Sequence, residues 1–108
     1  MPCRLRVISF GWSPQFVYRH FINVPLDVGR DVVVFVSAVP VDDLSKTRFE
    51  EAFQEVKKFL KSVGYGGEPH LILFEQDREP LDVLAGLVES LSRFGCSEFV
   101  FDASGGLR

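Results

Sequence analysis

The stretch Val32-Val33-Val34-Phe35-Val36 is apolar at every position rather than at alternate positions. A strand has this pattern when both of its faces are buried, as in the middle of a parallel sheet covered by helices on either side. A strand with one face in water would alternate apolar and polar residues. The stretch therefore predicts a central strand of a parallel sheet, and parallel strands need helical crossovers between them.

Three more segments have the composition of strands, being short apolar runs rich in β-branched and aromatic residues. The four predicted strands cover residues 5–10, 32–39, 70–74 and 98–101. The segments between them are amphipathic with a helical period, which predicts helices over 14–22, 46–63 and 80–94. In the longest one the apolar residues recur three or four positions apart, and they are Phe49, Phe53, Val56, Leu60 and Val63.

The predicted order β-α-β-α-β-α-β is typical of an α/β fold with a Rossmann-like parallel sheet. Right-handed crossovers leave two plausible strand orders, 3-2-1-4 and 2-1-3-4. Ligands bind such sheets at the carboxyl ends of the strands, where the winding reverses. In the order 3-2-1-4 that point lies between the first and last strands, next to the two most unusual loops of the sequence. We therefore expect the order 3-2-1-4.

The composition bounds the domain and its partners. A chain of 108 residues with 46% apolar residues is enough for one core, so a single domain over 1–108 is predicted. A net charge of −3 gives no extended cationic surface for duplex DNA, although a small anionic ligand needs only a few donors. No apolar run approaches the length needed to span a membrane, so no membrane partner is expected.

The two cysteines, Cys3 and Cys96, are too few and too isolated in sequence to predict a disulfide framework. They also lack the spacing of zinc ligands. A reducing, cytoplasmic environment is therefore the default expectation, with no metal.

The first unusual loop is Ser9-Phe10-Gly11-Trp12-Ser13. Gly11 permits close approach of the backbone, Ser9 and Ser13 offer hydroxyls, and a helix amino terminus with free N–H groups follows. Trp12 has a ring that could stack on a base. The alternative is purely structural: Gly11 makes the turn, Ser13 caps the helix and Trp12 packs on the surface.

The second unusual loop is Asp102-Ala103-Ser104-Gly105-Gly106-Leu107-Arg108. Two adjacent glycines after a buried strand let backbone amides face a phosphate or ribose, and an arginine adds a bidentate phosphate donor. The alternative is a flexible chain end, since Arg108 is the last residue. A parallel sheet normally continues with another helix after such a loop, so we expect the domain to continue beyond residue 108.

Other polar residues carry weaker signals. The sequence has neither the three spaced glycines of a dinucleotide site nor a Walker A lysine, which leaves NAD and ATP without support and no cofactor expected. His20 and His70 have no evident carboxylate or cysteine partner and are expected to be surface or packing residues.

Acidic pairs near a predicted helix start are expected to complement the helix dipole, while the role of three acids after the third strand remains undecided. The pairs are Asp42-Asp43 and Glu50-Glu51, and the three acids are Glu75, Asp77 and Asp82.

Taken together, these motifs resemble the CARF domain, the CRISPR-associated Rossmann fold. The resemblance spans nearly the whole chain and rests on three segments: the first loop into Pro14, Val33-Val34-Phe35-Val36-Ser37 at the second strand, and the last loop. The last loop is similar to the family signature Thr-Gly-Gly-Thr-Arg/Lys. It departs from that signature at Leu107, where the family often has threonine.

The resemblance implies a ligand and an assembly. Family members bind cyclic oligoadenylates, most often cyclic tetra-adenylate, across the twofold axis of a homodimer. By resemblance, one set of ligand-binding residues lies at the ends of the first two strands and a second set in the last loop. These are Ser9, Phe10, Gly11, Trp12, Ser13 and Ser37, and then Ser104, Gly105, Gly106 and Arg108.

The resemblance also implies a role, for which alternatives remain open. Family members usually carry an effector that binds DNA or cleaves RNA, so nucleic acid would be contacted only through such a domain. We expect a non-enzymatic sensor of a CRISPR-associated regulator. One alternative is a metal-independent ring nuclease, with Ser9 or Ser13 orienting a ribose hydroxyl and Arg108 stabilising charge. The other is a dimerisation module without a ligand.

Overall fold

A computed structural model describes residues 3–11, 14–75 and 79–102 of the chain. Strands and helices alternate as predicted. The elements are β1 (Arg4–Ser9), α1 (Pro14–Asn23), β2 (Asp31–Ala38), α2 (Asp43–Ser62), β3 (His70–Phe74), α3 (Pro80–Ser92) and β4 (Glu98–Asp102).

The four strands form one parallel sheet in the order β3-β2-β1-β4. This confirms the predicted order 3-2-1-4 and the α/β Rossmann-like class. In the register of the sheet, Val7 of β1 lies beside Val34 of β2 on one side and Phe101 of β4 on the other. The winding therefore reverses between β1 and β4, and their carboxyl ends are neighbours.

The central strand β2 is buried on both faces, as its uninterrupted apolar pattern predicts. Val33 and Phe35 belong to a core cluster with residues of α1 and α2. Val34 and Val36 belong to a second cluster that includes Leu87 of α3. Helices thus cover both faces of β2, which is why its side chains need no alternation.

Helix α2 begins three residues before the predicted start. Asp42 is its N-cap, and the Asp42 carboxylate accepts a hydrogen bond of 2.7 Å from the backbone N–H of Ser45. The helix-start role expected of four acids therefore belongs to Asp42 and Asp43, whereas Glu50 and Glu51 lie beyond the first turn and are exposed. The expectation for the two glutamates is wrong because the capping carboxylate was not recognised in the sequence.

Helix α3 covers β1 and β2 but leaves β4 largely open on the same face. Phe99 and Phe101 pair in register with Leu5 and Val7, yet their exposed fractions are 58% and 54%. Leu84 of α3 is also exposed. Within the described ranges nothing covers this face of β4. No described helix has the length and apolarity required to cross a bilayer.

The structure joins Cys3 and Cys96 in a disulfide, with their Cα atoms 4.7 Å apart. These cysteines were expected to be too few and too isolated in sequence for a disulfide framework, and 93 positions separate them. The topology shows that this expectation is wrong. Cys3 directly precedes β1, the turn that contains Cys96 leads into β4, and the two strands start side by side. Sequence distance therefore did not indicate distance in space.

Candidate functional site

The candidate site is the carboxyl edge of the sheet between β1 and β4. Ile8 pairs with Asp102, so the chain leaves both strands at neighbouring positions. Gly11 is partly exposed at this edge. Of the remaining predicted site residues, Trp12 and Ser13 of the first loop and all those of 104–108 lie outside the described residues.

The described residues of the first motif are mostly buried. Phe10 is only 3% exposed, and its ring lies 5.4 Å, centroid to centroid, from Phe35 and from Phe49. Its backbone N–H donates to the carbonyl of Val36 at 2.8 Å, which extends the pairing of β1 with β2 by one residue. The Phe10 side chain thus anchors the start of the loop in the core. A ligand in the crevice, the gap between the carboxyl ends of β1 and β4, would contact the backbone of Phe10 rather than its ring.

Two predicted serines are also buried at the ends of central strands. Ser9 is the last residue of β1, and Ser37 the penultimate residue of β2. The Ser37 hydroxyl donates to the carbonyl oxygen of Ala38 at 3.1 Å. In this packing neither hydroxyl is exposed to a ligand at the sheet edge.

A polar cluster that sequence analysis missed lies beneath the crevice, on the α1 side of the sheet. At its centre is Arg6 of β1, whose side chain has no exposed surface. The Arg6 guanidinium donates to the carboxylate of Asp31 at 2.6 Å and to the carbonyl oxygen of Pro25 at 3.0 Å, and also to the carbonyl oxygen of Val24. Arginine is rarely buried unless it is paired in this way.

The same guanidinium contacts His20 of α1. The Nε and Nη2 atoms of Arg6 lie 3.4 Å and 3.2 Å from Nε2 of His20, and Nδ1 of His20 lies 3.0 Å from the Asp102 carboxylate. Burial, and then the positive charge of Arg6, lower the pKa of His20 below its ordinary value. His20 is thus a neutral, buried residue with a carboxylate partner, contrary to the expectation that it has none.

Asp31 is the anionic end of this cluster. It also accepts from Arg4 at 2.7 Å and from the backbone N–H of Asp27 at 2.9 Å. Burial alone would raise the pKa of Asp31, but the hydrogen bonds from Arg4 and Asp27 and the charges of the two arginines outweigh burial and lower it. Among the described residues, no buried side-chain nitrogen or oxygen lacks a hydrogen-bond partner.

One signal in the sequence pointed to this cluster. Arg6 interrupts the otherwise apolar run Leu5-Arg6-Val7-Ile8 of a predicted strand next to the central one. A charged side chain in that position must either be buried with hydrogen-bond partners or lie on a face of the strand that is open to solvent. Its partner His20 is far in sequence from Asp102, so only the fold identifies the pair.

The weaker polar candidates are dispersed. His70 is exposed and packs its ring against Phe94 at 4.7 Å, which confirms the expected packing role. Glu75 and Asp82 are exposed, while Asp77 lies outside the described residues. No group of residues suited to hold a metal ion occurs in the portion of the chain that the structure describes.

An open depression of about 480 Å³ lies between the start of α1 and the first half of α2. Two carboxylates and one guanidinium line it, so its charge does not favour an anionic ligand. The lining residues are Pro14, Arg48, Glu51, Ala52 and Glu55. The depression therefore gives no support for a phosphate site away from the β1–β4 edge.

Comparison with known proteins adds no relative: no family model matches the chain, and no curated protein matches its sequence. The geometry of the site therefore carries the functional argument.

Proposed function

We propose that the chain is a ligand-sensing domain of the CARF type that binds a cyclic oligoadenylate, with cyclic tetra-adenylate as the expected ring. The observation that carries the proposal is the register of β1 with β4, in which Ile8 lies beside Asp102. The two loops that resemble ligand motifs of the family thus start at adjacent positions, where the winding of the sheet reverses. Sheets of this type bind ligands at that point.

The chemistry of the loops suits a nucleotide with several phosphates. Gly11, Gly105 and Gly106 have no Cβ, which allows close approach of backbone N–H groups to phosphate oxygens. Arg108 would supply a charged, bidentate donor. Such a site needs no large cationic surface, which is consistent with the net charge of −3.

A thermal shift and calorimetric titration with cyclic tetra-adenylate would test the proposal. At a ligand concentration of 100 times Kd, binding stabilises the folded state by about 2.7 kcal/mol, which raises Tm by several degrees. Linear tetra-adenylate, cyclic hexa-adenylate and ATP serve as competing ligands. If no cyclic oligoadenylate raises Tm at saturating concentration, the proposal is rejected in favour of a dimerisation module without a ligand.

A matched pair of glycine variants locates the binding site. Gly106→Val would block the approach of the phosphate in the last loop and should weaken binding at least tenfold. Gly66→Val changes a glycine between α2 and β3, at the opposite edge of the sheet, where an added Cβ meets no atom within 4 Å. Equal affinity of the two variants would contradict the assignment of the loop.

The proposal includes a homodimer, because a ring with twofold symmetry is matched by two copies of one site. Light scattering with and without ligand measures this assembly. It also includes a cytoplasmic location, a role in antiviral regulation, and contact with DNA or RNA only through an effector domain. In a reducing cytoplasm the Cys3–Cys96 disulfide would be exposed to thiols, so its redox state in cells tests the location.

We propose binding without cleavage. Burial of Ser9 counts against its use as the group that orients a ribose hydroxyl in a ring nuclease. Incubation of the protein with labelled cyclic tetra-adenylate in EDTA decides the question. Linear products would show ring cleavage and reject the pure sensor.

A further inference from the structure

We infer that His20 is a positioning residue of the crevice, whose neutral ring holds the Asp102 carboxylate at the end of β4 and links it to the buried Arg6. The inference rests on the proposed function only for the identity of the ligand. The contacts themselves are independent of it.

The hydrogen bonds of Arg6 determine the protonation of His20. A guanidinium has five N–H donors and no acceptor, and in Arg6 all five are directed at Asp31, Pro25, Val24 or His20. Nε2 of His20 faces two of these donors, so it must present its lone pair. The proton of the neutral ring is therefore on Nδ1, from which it is donated to Asp102 at 3.0 Å.

The position of Asp102 makes this link relevant to binding. Asp102 is the last residue of β4, and Ser104 and the two glycines follow directly. The Asp102 side chain is 25% exposed, whereas that of His20 is 3% exposed. The buried ring thus contacts the residue from which the proposed ligand loop departs, without reaching the ligand itself.

Protonation of His20 would break its contact with Arg6, while Nδ1 would still donate to Asp102 as part of an ion pair. The charged groups around the ring come from three strands: Arg6 of β1, Asp31 of β2 and Asp102 of β4. With a neutral ring, the cluster of Arg4, Arg6, Asp31 and Asp102 has balanced charge. A protonated ring would have a donor at Nε2 facing the donors of Arg6, so the two groups would separate. Asp102 would then move with the ring away from Arg6, and the start of the proposed ligand loop would move with it. We therefore expect ligand binding and protonation of His20 to oppose each other.

Nitrogen-15 NMR of the imidazole rings tests the tautomer without any ligand. The chain has two histidines, and the His70→Gln variant assigns the signals of the other. At pH 7.5 we expect His20 to be neutral with its proton on Nδ1, and the midpoint of its protonation to lie below the ordinary histidine pKa of 6.5. A proton on Nε2, or a charged ring at pH 7.5, would overturn the inference.

A titration with cyclic tetra-adenylate tests the connection with binding. Because linkage is reciprocal, saturating ligand should shift the midpoint of His20 protonation to lower pH. At a pH one unit below the midpoint of the free protein, wild type and His70→Gln should bind about tenfold more weakly than at pH 7.5. About nine-tenths of the free protein then carries a proton on His20, which must be released on binding, and each pH unit corresponds to a factor of ten. His20→Gln has an amide that does not titrate, so its affinity should change much less between the two pH values.

The two failures are distinguishable. If wild type binds no ring at pH 7.5, the proposed function fails, and the tautomer measurement still decides the arrangement of His20. If wild type binds but the ligand leaves the His20 midpoint unchanged, His20 has a structural role only and the positioning inference is overturned. Identical pH dependence of binding in wild type and His20→Gln would lead to the same conclusion.

Discussion

At the residue scale, the chain buries an arginine, Arg6, in the third position of its first strand. The cost of desolvating a guanidinium is offset only when its donors and its charge are both satisfied. Arg6 achieves this with one carboxylate, two carbonyl oxygens and one imidazole, drawn from segments up to 25 positions away. The same contacts fix His20 as a neutral acceptor, which makes the stability of the fold depend on pH.

The free energy of unfolding should fall as the pH is lowered below about 6.5, the ordinary pKa of histidine. Burial and Arg6 lower the pKa of His20 in the folded state, so the unfolded chain takes up the proton first. The contribution of His20 is complete above the unfolded pKa and is lost as pH falls toward the folded one, by at most about 1.4 kcal/mol per pH unit.

Urea unfolding between pH 7.5 and pH 5.5 measures this dependence. His70→Gln, which changes the exposed histidine, should keep the slope, whereas His20→Gln should reduce it. The prediction fails if removal of His20 leaves the slope unchanged.

At the element scale, helix α2 is tied to the sheet at its carboxyl end. After Gly64 the chain places Tyr65 in the core, where the Tyr65 hydroxyl accepts a hydrogen bond of 3.1 Å from the backbone N–H of Val33. Strand β3 pairs with β2 only from Val34 onward, so this N–H lies just before the ladder. One side chain therefore completes the hydrogen bonding of the central strand.

Tyr65→Phe should lower the free energy of unfolding by about 1–3 kcal/mol, because it leaves a buried backbone donor without an acceptor. Chemical denaturation of the variant measures the loss. Tyr18→Phe is the matched control, since the Tyr18 ring packs at a tilt against Phe59 but its hydroxyl has no hydrogen-bond partner among the described residues. Equal stability of the two variants would show that the Val33 contact contributes nothing.

Two glycines should respond to alanine with opposite signs. Gly64 ends α2 with a φ of 93°, which an L side chain rarely adopts, so Gly64→Ala should destabilise the fold by about 1 kcal/mol. Its Cβ would meet only ordinary contact with Val28 at 3.8 Å, so the effect isolates backbone strain. Gly86 lies inside α3, where an added Cβ would meet no atom within 4 Å. Gly86→Ala should therefore stabilise the folded state by about 0.5–1 kcal/mol. Thermal unfolding of both variants measures the two effects. If both variants change Tm in the same direction, the explanation by backbone conformation is wrong.

At the scale of the whole molecule, the strand order places the first and last strands of the described chain side by side. Because β1 and β4 are neighbours, the disulfide joins Cys3 to Cys96 and closes a loop with a sequence separation of 93. The same adjacency places the carboxyl ends of β1 and β4, from which the two proposed ligand loops depart, side by side at the other edge of the sheet. The structural crosslink and the candidate site therefore follow from one topological feature.

Reduction of the disulfide should destabilise the protein by about 4 kcal/mol, as expected when a loop of this length is opened in the unfolded chain. Urea unfolding with and without a thiol reductant measures the difference. The Cys3→Ser, Cys96→Ser double variant should match the reduced protein and be insensitive to reductant. Complete alkylation of both cysteines in protein purified under air, without prior reduction, would contradict the crosslink.

Most of the architecture could be predicted from local patterns. An apolar run in β2 and helical periodicity in α2 depend on neighbouring residues, and right-handed crossovers restrict how such elements assemble. The start of α2 was missed because one capping carboxylate, Asp42, outweighed the absence of apolar periodicity before Lys46. Of the candidate site, the adjacency of the strand ends was predicted, whereas burial of Ser9, Phe10 and Ser37 was not.

The amino-acid sequence by itself determined the class of fold, because the choice between strand and helix depends on the spacing of apolar residues. It also determined that the sheet is parallel, since only a strand covered on both faces has the pattern of β2. Tertiary structure alone decided the contacts between distant polar groups: Arg6 with Asp31, His20 with Asp102, and Cys3 with Cys96. These pairings depend on the register of the neighbouring strands, which no local spacing in the chain encodes even where the strand order is predicted.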